Sequence, residues 1–162
     1  MTSKKVCDDS FKQAMAQFPS GVTIVTTIDD SGNKSGFTAS AFSSLSLTPP
    51  LVLVCLACNA DCFDIFNNQN KFAINIIGHD HEDLAFKFAT KGCDKFEGGE
   101  FVQGESGIPV LSNSPVSLEC STANIYSGGD HIILVGQVEY LTINDKPPTI
   151  WHQGKFHHLQ TD

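Results

Sequence analysis

The most constraining feature of this sequence is a series of short apolar or β-branched segments separated by turn residues. Residues 22–28 consist only of valine, isoleucine and threonine, which favour extended backbone. Further strand-like segments are predicted at 35–47, 51–56, 72–77, 116–126, 132–143 and 149–151, with 155–159 following the last. Because these segments do not alternate regularly with helices, they predict a mainly β fold, an antiparallel barrel or sandwich with short peripheral helices.

Three short helices are predicted around these strands. Ser10–Gln13 reads as a capping box that opens the first helix, with Phe11, Met15 and Phe18 on its apolar face. The others are predicted at 62–69 and 79–90, followed by a glycine-rich, irregular stretch at 91–107. Because no repeat or linker interrupts the pattern, we expect one domain over residues 1–162, with a core at about 11–159.

The charge pattern excludes several classes of protein. The 18 acidic residues outnumber the 10 basic ones, all of which are lysine, and the formal charge is −8. Nucleic-acid binding and attachment to an anionic membrane both require basic surfaces, so neither is expected. No apolar run reaches the ~18 residues of a membrane span, and no signal peptide is apparent at the start. We therefore expect a cytoplasmic protein whose six cysteines are reduced.

The segment 36–50 is rich in small and hydroxyl side chains, with six hydroxyls between Thr38 and Thr48. One interpretation is an edge strand that faces water. The other is a ligand site, because small side chains let a flat ligand approach the backbone while amides and hydroxyls meet its polar edge. Periodicity alone does not decide between them.

Cysteines and histidines form two further motifs, and neither indicates a metal site. Cys55 and Cys58 resemble a zinc or dithiol pair, but Cys55 lies within an apolar strand and no second pair exists. His79 and His81 are two apart on a predicted helix, so they point to different sides. A structural cysteine and a solvated helix start are favoured, and no metal is predicted.

Two features are compatible with binding of an anionic ligand. Lys87, Lys91 and Lys95 lie close together and could either complement a helix C-terminus or bind an anion. His131 follows a Gly-Gly-Asp turn into a strand, a rigid base from which its ring can project into a cleft. No Walker loop, dinucleotide glycine pattern or nucleophile elbow is present.

Together these segments resemble the flavin reductase-like family, the short flavin:NAD(P)H reductases that supply reduced flavin to two-component monooxygenases. The resemblance covers residues 11–159, and its motifs occur in the family's order at 18–22, 36–55, 72–75, 88–96, 129–136 and 151–156. It implies an antiparallel split β-barrel, a homodimer, FMN or FAD as the bound flavin, and NADH or NADPH as co-substrate. A partner monooxygenase is implied as well.

The resemblance also implies roles for individual residues. The isoalloxazine would be lined by Thr38, Ala39, Ser40, Ser43 and Ser44, with Cys55 beneath it. The ribityl phosphate would be held by the loop 57–62, with Asn59 and Asp61, and by the segment with Lys91, Lys95 and Phe96. His131 would act at the nicotinamide, near Trp151 and Phe156. Where the family usually has arginine in the last motif, this chain has Gln153 or Lys155.

The reaction implied is hydride transfer, in which the cofactors carry the chemistry and the protein supplies orientation. The rival functions are a flavin- or haem-binding split-barrel carrier or sensor without NAD(P)H turnover, and an oxidase of the pyridoxamine-phosphate type. A thiol- or metal-binding domain is a third. The Gly-Asp-His turn favours the reductase over the carrier and the oxidase.

Overall fold

The computed structural model describes residues 5–159. Within this range three short helices lie at α1 Asp8–Met15, α2 Phe63–Asn68 and α3 Glu82–Ala89, and a 3₁₀ turn, His79–His81, leads into α3. Within the described residues, none of these helices has the length and apolar character needed to cross a bilayer.

Twelve strands make up the rest of the regular structure between residues 5 and 159. The longest two, β9 and β10, form a hairpin across the centre of the molecule. In chain order the strands are β1 Ser20–Gly21, β2 Thr23–Ile28, β3 Lys34–Ala39, β4 Phe42–Ser46, β5 Leu51–Ala57, β6 Lys71–Ile76, β7 Phe101–Gln103, β8 Pro109–Leu111, β9 Val116–Gly128, β10 His131–Ile143, β11 Thr149–His152 and β12 Lys155–His158.

Seven strands form one antiparallel sheet in the order β3-β2-β6-β9-β10-β5-β4. A three-stranded sheet, β1-β11-β12, lies beside it, and β7 pairs with β8. The mainly β, antiparallel fold with short helices is therefore confirmed. Among the described ladders none joins β3 to β4, so hydrogen bonding does not close the large sheet into a complete barrel.

The predicted strand 35–47 is wrong, because the chain divides there into two strands. β3 pairs with β2 up to Ala39, whereas β4 pairs with β5 from Phe42 onward. The exposed link Ser40–Ala41 carries the chain from one outer strand of the sheet to the other. It is held there by the amide of Cys55, which donates to the carbonyl of Ala41 at 3.0 Å.

Two smaller expectations also differ from the structure. The N-cap of the first helix is Cys7, not Ser10, because the Ser10 hydroxyl accepts from the Cys7 amide at 2.9 Å and so completes a cap three residues earlier; the helix begins at Asp8. The stretch 91–107 contains the three-residue strand β7, which the glycine-rich sequence did not predict.

The core has two parts, one on each side of β2. The first fills the interior of the large sheet, where Val25, Val54, Phe72 and Leu134 pack together with Phe66 of α2. The second part lies under α3 and the three-stranded sheet, and includes Ile24, Ile77 and Phe88. Because side chains alternate along a strand, β2 contributes to both parts and fixes α3 across the sheet.

Candidate functional site

A cavity of about 330 Å³ opens where β3, β5 and β10 approach the end of α3. This volume lies at the low end of the range of small-molecule sites. The lining combines small side chains, two lysines, two cysteines and a histidine. Its residues are Phe37, Thr38, Ala39, Ser40, Ala41, Cys55, Leu56, Ala57, Asn59, Ala60, Asp61, Cys62, Phe88, Ala89, Lys91, Lys95 and His131.

The floor of the cavity is the point at which β3 ends and the link to β4 begins. Ala39, Ser40 and Ala41 carry small side chains, so a ligand can come close to their backbone amides and carbonyls. The Thr38 hydroxyl is already used, because it donates to the Ala85 carbonyl of α3 at 2.5 Å. Thr38 therefore holds the floor against α3 and leaves the hydroxyl of Ser40 to face a ligand.

The two cysteines of the wall are neutral thiols. Burial raises the pKa of Cys55. Burial raises the pKa of Cys62 as well, and the charge of Lys95 offsets that rise only in part. A thiol with a raised pKa is a poor nucleophile and a poor metal ligand. Cys55 and Cys62 thus contribute an apolar surface to the cavity.

One end of the cavity is positively charged. The Lys91 ammonium donates to the Asn59 carbonyl at 2.6 Å and lies 3.9 Å from the Asp61 carboxylate. The Lys95 ammonium donates to the carbonyls of Gly36 and Phe88, at 3.0 and 2.9 Å. Since an ammonium has three donors, each lysine is positioned by the protein and keeps donor capacity for an anion.

His131 begins β10 and also lines the cavity. Its Nδ1 lies 2.7 Å from a carboxylate oxygen of Asp130, and the hydrogen bond from His131 lowers the pKa of Asp130. The turn is attached to the loop 57–62 of the cavity wall, because the Cys58 amide donates to the Asp130 carbonyl at 2.9 Å. An ionised Asp130 favours the tautomer with hydrogen on Nδ1 and leaves Nε2 for a ligand.

A second, mostly apolar cleft of about 190 Å³ adjoins the first. Trp151, Phe156 and Phe86 form its aromatic wall, with Phe86 ring centroids 6.1 and 5.3 Å from those of Trp151 and Phe156. Thr38, Ser40 and Ala89 line both cavities. Two flat ligands bound in these cavities would therefore meet over the Thr38–Ser40 backbone.

Most of the predicted site residues come together here, although their roles stay predictions. Those that line the main cavity are Thr38, Ala39, Ser40, Cys55, Asn59, Asp61, Lys91, Lys95 and His131. Trp151 and Phe156 line the second cleft.

Three predicted residues lie outside both cavities. Ser43 lines a broader concavity beside β4, and its hydroxyl donates to the Ser44 carbonyl at 3.0 Å. Ser44 is exposed on β4, because the chain has crossed to the other edge of the sheet by that point. Phe96 packs against Phe88 and Phe101, with ring centroids 5.2 and 4.9 Å away, and so supports Lys95 from behind.

Sequence reasoning missed Phe86 as a site residue. Leu84, Ala85 and Phe88 form the buried face of α3, whereas Phe86 is 53% exposed and turns toward Trp151. The sequence signal that could have identified Phe86 is its position: it is an aromatic residue that lies off the apolar face of an amphipathic helix.

Comparison with known proteins agrees with this geometry. A family model described as flavin reductase like domain matches residues 15–160. The chain belongs to this flavin reductase family. The resemblance predicted from the motifs is thereby confirmed, and the chain is an oxidoreductase of the flavin reductase type.

Several relatives of this flavin reductase cover most of its length. The actinorhodin polyketide dimerase of Streptomyces coelicolor is 44% identical, over 90% of this chain and 82% of that protein. The NADH:riboflavin 5'-phosphate oxidoreductase of Streptomyces pristinaespiralis is 39% identical, over 91% and 86%. HsaB of Rhodococcus jostii, the reductase subunit of a flavin-dependent monooxygenase, is 32% identical, over 94% and 78%.

Solved structures share the same fold. The NADH:FAD oxidoreductase SgcE6 of Streptomyces globisporus, solved in complex with NAD and FAD fragments, superposes with a TM-score of 0.89 at 30% identity. The match covers 98% of this flavin reductase and 99% of that chain.

Proposed function

We propose that this flavin reductase transfers a hydride from NADH or NADPH to FMN or FAD, with the flavin in the main cavity and the nicotinamide in the adjoining cleft. The observation that carries the proposal is the pair of cavities that share Thr38, Ser40 and Ala89. The relatives named for NADH and flavin support the choice of ligands.

The main cavity fits a flavin in shape and in charge. Its floor of small residues suits a flat ring, and Lys91 and Lys95 offer positive charge to a phosphate at one end. A bound flavin supplies the hydride acceptor, so the protein's part is to bind, orient and exclude water. The carboxylate of Asp61, in the loop 57–62, lies 3.9 Å from the Lys91 ammonium. Its negative charge limits how tightly the lysines hold a phosphate.

His131 and the aromatic wall of the second cleft would contact and orient the nicotinamide. His131 lines the main cavity, so with Nδ1 held by Asp130 it can present Nε2 from one side to a polar group of the nicotinamide where the two ligands meet. Trp151 and Phe156 cover an apolar ring from the other. The role of His131 is to orient the ring, and no acid–base step is required of it. Since the chain has no arginine to pair with a 2′-phosphate, we expect NADH to be preferred over NADPH.

Stopped-flow spectroscopy tests this function directly. Under anaerobic conditions we expect NADH to bleach the absorbance of FMN in the presence of the protein, and His131→Ala to raise the KM for NADH about tenfold. His157→Ala, a change on β12 away from both cavities, is the matched control and should leave the KM unchanged. Bleaching that is absent would indicate the carrier or sensor, and an unaltered KM and kcat in His131→Ala would refute the orienting role.

The chain acts as a homodimer in this proposal. A broad concavity of about 860 Å³ lies between α1 and β4 and includes Met15, Phe18 and Phe42. Phe11, Met15 and Phe18 are 56%, 54% and 73% exposed, and β4 is an outer strand with one edge unpaired in the large sheet. A second copy of this chain would cover that apolar surface.

The proposed dimer would also border the flavin site. The residues that line both the concavity and the main cavity are Ser40, Ala41 and Cys55.

Delivery of reduced flavin to a partner monooxygenase completes the proposal. The relationship to a monooxygenase reductase subunit supports it. Localisation in the cytoplasm remains part of the proposal, and six free cysteines agree with a reducing compartment.

A further inference from the structure

Two histidines and one glutamate meet at the N-terminal end of α3, whereas the main cavity lies at its C-terminal end. His79 lies in the 3₁₀ turn, Glu82 in the first turn of α3, and His158 at the end of β12. The Glu82 carboxylate oxygen Oε1 lies 3.5 Å from His79 Nδ1 and 2.8 Å from His158 Nε2. The function proposed above uses none of these groups.

Their spacing is that of ligands around one small cation. With metal–ligand bonds of about 2.0–2.1 Å, neighbouring ligand atoms of a tetrahedral zinc site lie about 3.3 Å apart. The three ligand atoms here lie within 4.8 Å of one another. The distance from Glu82 Oε1 to His79 Nδ1, 3.5 Å, is slightly longer than the tetrahedral value, and the distance to His158 Nε2, 2.8 Å, is shorter. Small changes of side-chain torsion would bring all three onto one ion.

The surroundings support the carboxylate as a ligand. The Thr149 hydroxyl donates to the same Oε1 of Glu82 at 2.8 Å, an outer hydrogen bond of the kind that orients carboxylate ligands. The Glu82 side chain is 19% exposed, whereas those of His79 and His158 are 67% and 52% exposed. A solvated ion can therefore reach a carboxylate that is already fixed in place.

We propose that His79, Glu82 and His158 bind a zinc ion, with a water molecule in the fourth position. Two imidazoles and one carboxylate suit Zn²⁺, whereas Mg²⁺ and Ca²⁺ prefer oxygen ligands alone. His79 and His81 are two residues apart and point to different sides, so they do not share an ion. The second histidine of the site comes instead from β12, 79 residues further along the chain.

The ion would connect the C-terminal strand to α3. Glu82 and Phe86 are one helical turn apart on α3, and Phe86 packs against Trp151 and Phe156 of the β11–β12 hairpin. Zinc would thus hold the hairpin and the helix together at one end, while the aromatic contacts hold them at the other. The role of the ion would be to position the aromatic wall of the second cleft.

Zinc titration of the untagged, chelator-stripped protein against a chromogenic chelator tests the proposal. We expect one ion per wild-type chain, and His79→Gln, His158→Gln or Glu82→Gln to weaken binding by about 100-fold. His157→Gln is the matched control, because His157 neighbours His158 on the same strand and its ring lies against His152, with centroids 5.8 Å apart. This control should bind like the wild type.

A thermal melt provides a second readout that does not depend on activity. Zinc should raise the melting temperature of the wild type and of His157→Gln by several degrees, and leave that of His158→Gln unchanged. Circular dichroism of each variant without zinc checks that the fold is intact. Zinc affinity equal in the wild type and His158→Gln, loss of binding in His157→Gln instead, or Mg²⁺ binding as tight as Zn²⁺ would each overturn the proposal.

Discussion

At the scale of single residues, the two lysines of the main cavity, Lys91 and Lys95, differ in how strongly the surrounding structure depends on them. Lys95 is bonded to two backbone carbonyls inside the protein, so its removal would disturb the wall. Lys91 is 61% exposed and contacts only the Asn59 carbonyl and, at longer range, Asp61. Lys91 is therefore the residue whose charge can be removed with little effect on folding.

We expect Lys91→Gln to raise the Kd for FMN about tenfold and to leave the Kd for riboflavin unchanged. Riboflavin lacks the phosphate, so the comparison isolates the charge interaction. Higher salt should weaken FMN binding by the wild type more than by the variant, since ions screen an exposed lysine. Flavin fluorescence quenching measures both constants. Lys71→Gln, an exposed lysine on β6, is the control, and equal losses for FMN and riboflavin in Lys91→Gln would contradict the assignment.

The buried thiol of Cys120 makes a prediction about alkaline pH. Burial raises the pKa of Cys120 from 9.0 to about 12. Above pH 9 the unfolded chain loses this proton while the folded chain retains it, so the free energy of unfolding falls as the pH rises toward 12.

Urea unfolding at pH 8 and pH 10 measures this effect. We expect the wild type to lose up to about 1.4 kcal/mol more per pH unit above 9 than Cys120→Ala, which has no thiol at that position. Any constant cost of the substitution cancels because only the pH slope is compared. Equal slopes for the two proteins would show that Cys120 does not titrate in this way.

At the scale of elements, the packing of α3 on β3 depends on the absence of a side chain at Gly36. A Cβ there would lie 2.6 Å from a ring carbon of Phe88 and 2.7 Å from the Val25 carbonyl oxygen. The Gly36 carbonyl also accepts from Lys95. One glycine thus sets both the position of α3 and the position of a charged residue in the cavity.

We expect Gly36→Ala to lower the free energy of unfolding by about 1–3 kcal/mol and to weaken flavin binding. The cost arises because backbone atoms of β2 cannot move aside as a flexible side chain could. Gly21→Ala is the matched control, since a Cβ at Gly21 meets nothing within 4 Å. Urea unfolding gives both values, and similar stabilities for the two variants would rule out this account of the packing.

The strands also show how much of the fold and of the site can be predicted from the sequence. The strand at 22–28 was predictable because every residue there is β-branched, and the motif residues Thr38, Lys91 and His131 were predictable from the family's order of motifs. The position of β4 was not, because a period of two along a strand says nothing about which strand it pairs with. That is why Ser44, adjacent in sequence to residues of the predicted floor, lies on the far edge of the sheet.

At the scale of the whole molecule, the apolar concavity beside α1 predicts the state of assembly. Met15 and Phe18 are exposed in the single chain although they are among the larger apolar residues. A stable dimer buries such residues, and a charge placed among them would have to be desolvated.

We expect the double variant Met15→Asp, Phe18→Asp to be monomeric where the wild type is dimeric, and to bind flavin more weakly. Light scattering after size-exclusion chromatography measures the mass of each. Val102→Asp is the control, because Val102 is also 54% exposed but lies on β7, away from the concavity. A wild-type monomer, or a dimer that survives the double substitution, would exclude this surface as the interface.

The wall shared by the two cavities has a consequence for how the ligands bind. Thr38, Ser40 and Ala89 touch both spaces, so a ligand in one space changes the surface that the other ligand meets. Thermodynamic linkage requires this effect to be reciprocal. If bound flavin changes the affinity for the nicotinamide nucleotide by some factor, the bound nucleotide changes the affinity for flavin by the same factor. In the proposed reaction one hydride transfer changes both ligands at once, so the shared wall would couple the affinities for the two products as it couples those for the two substrates.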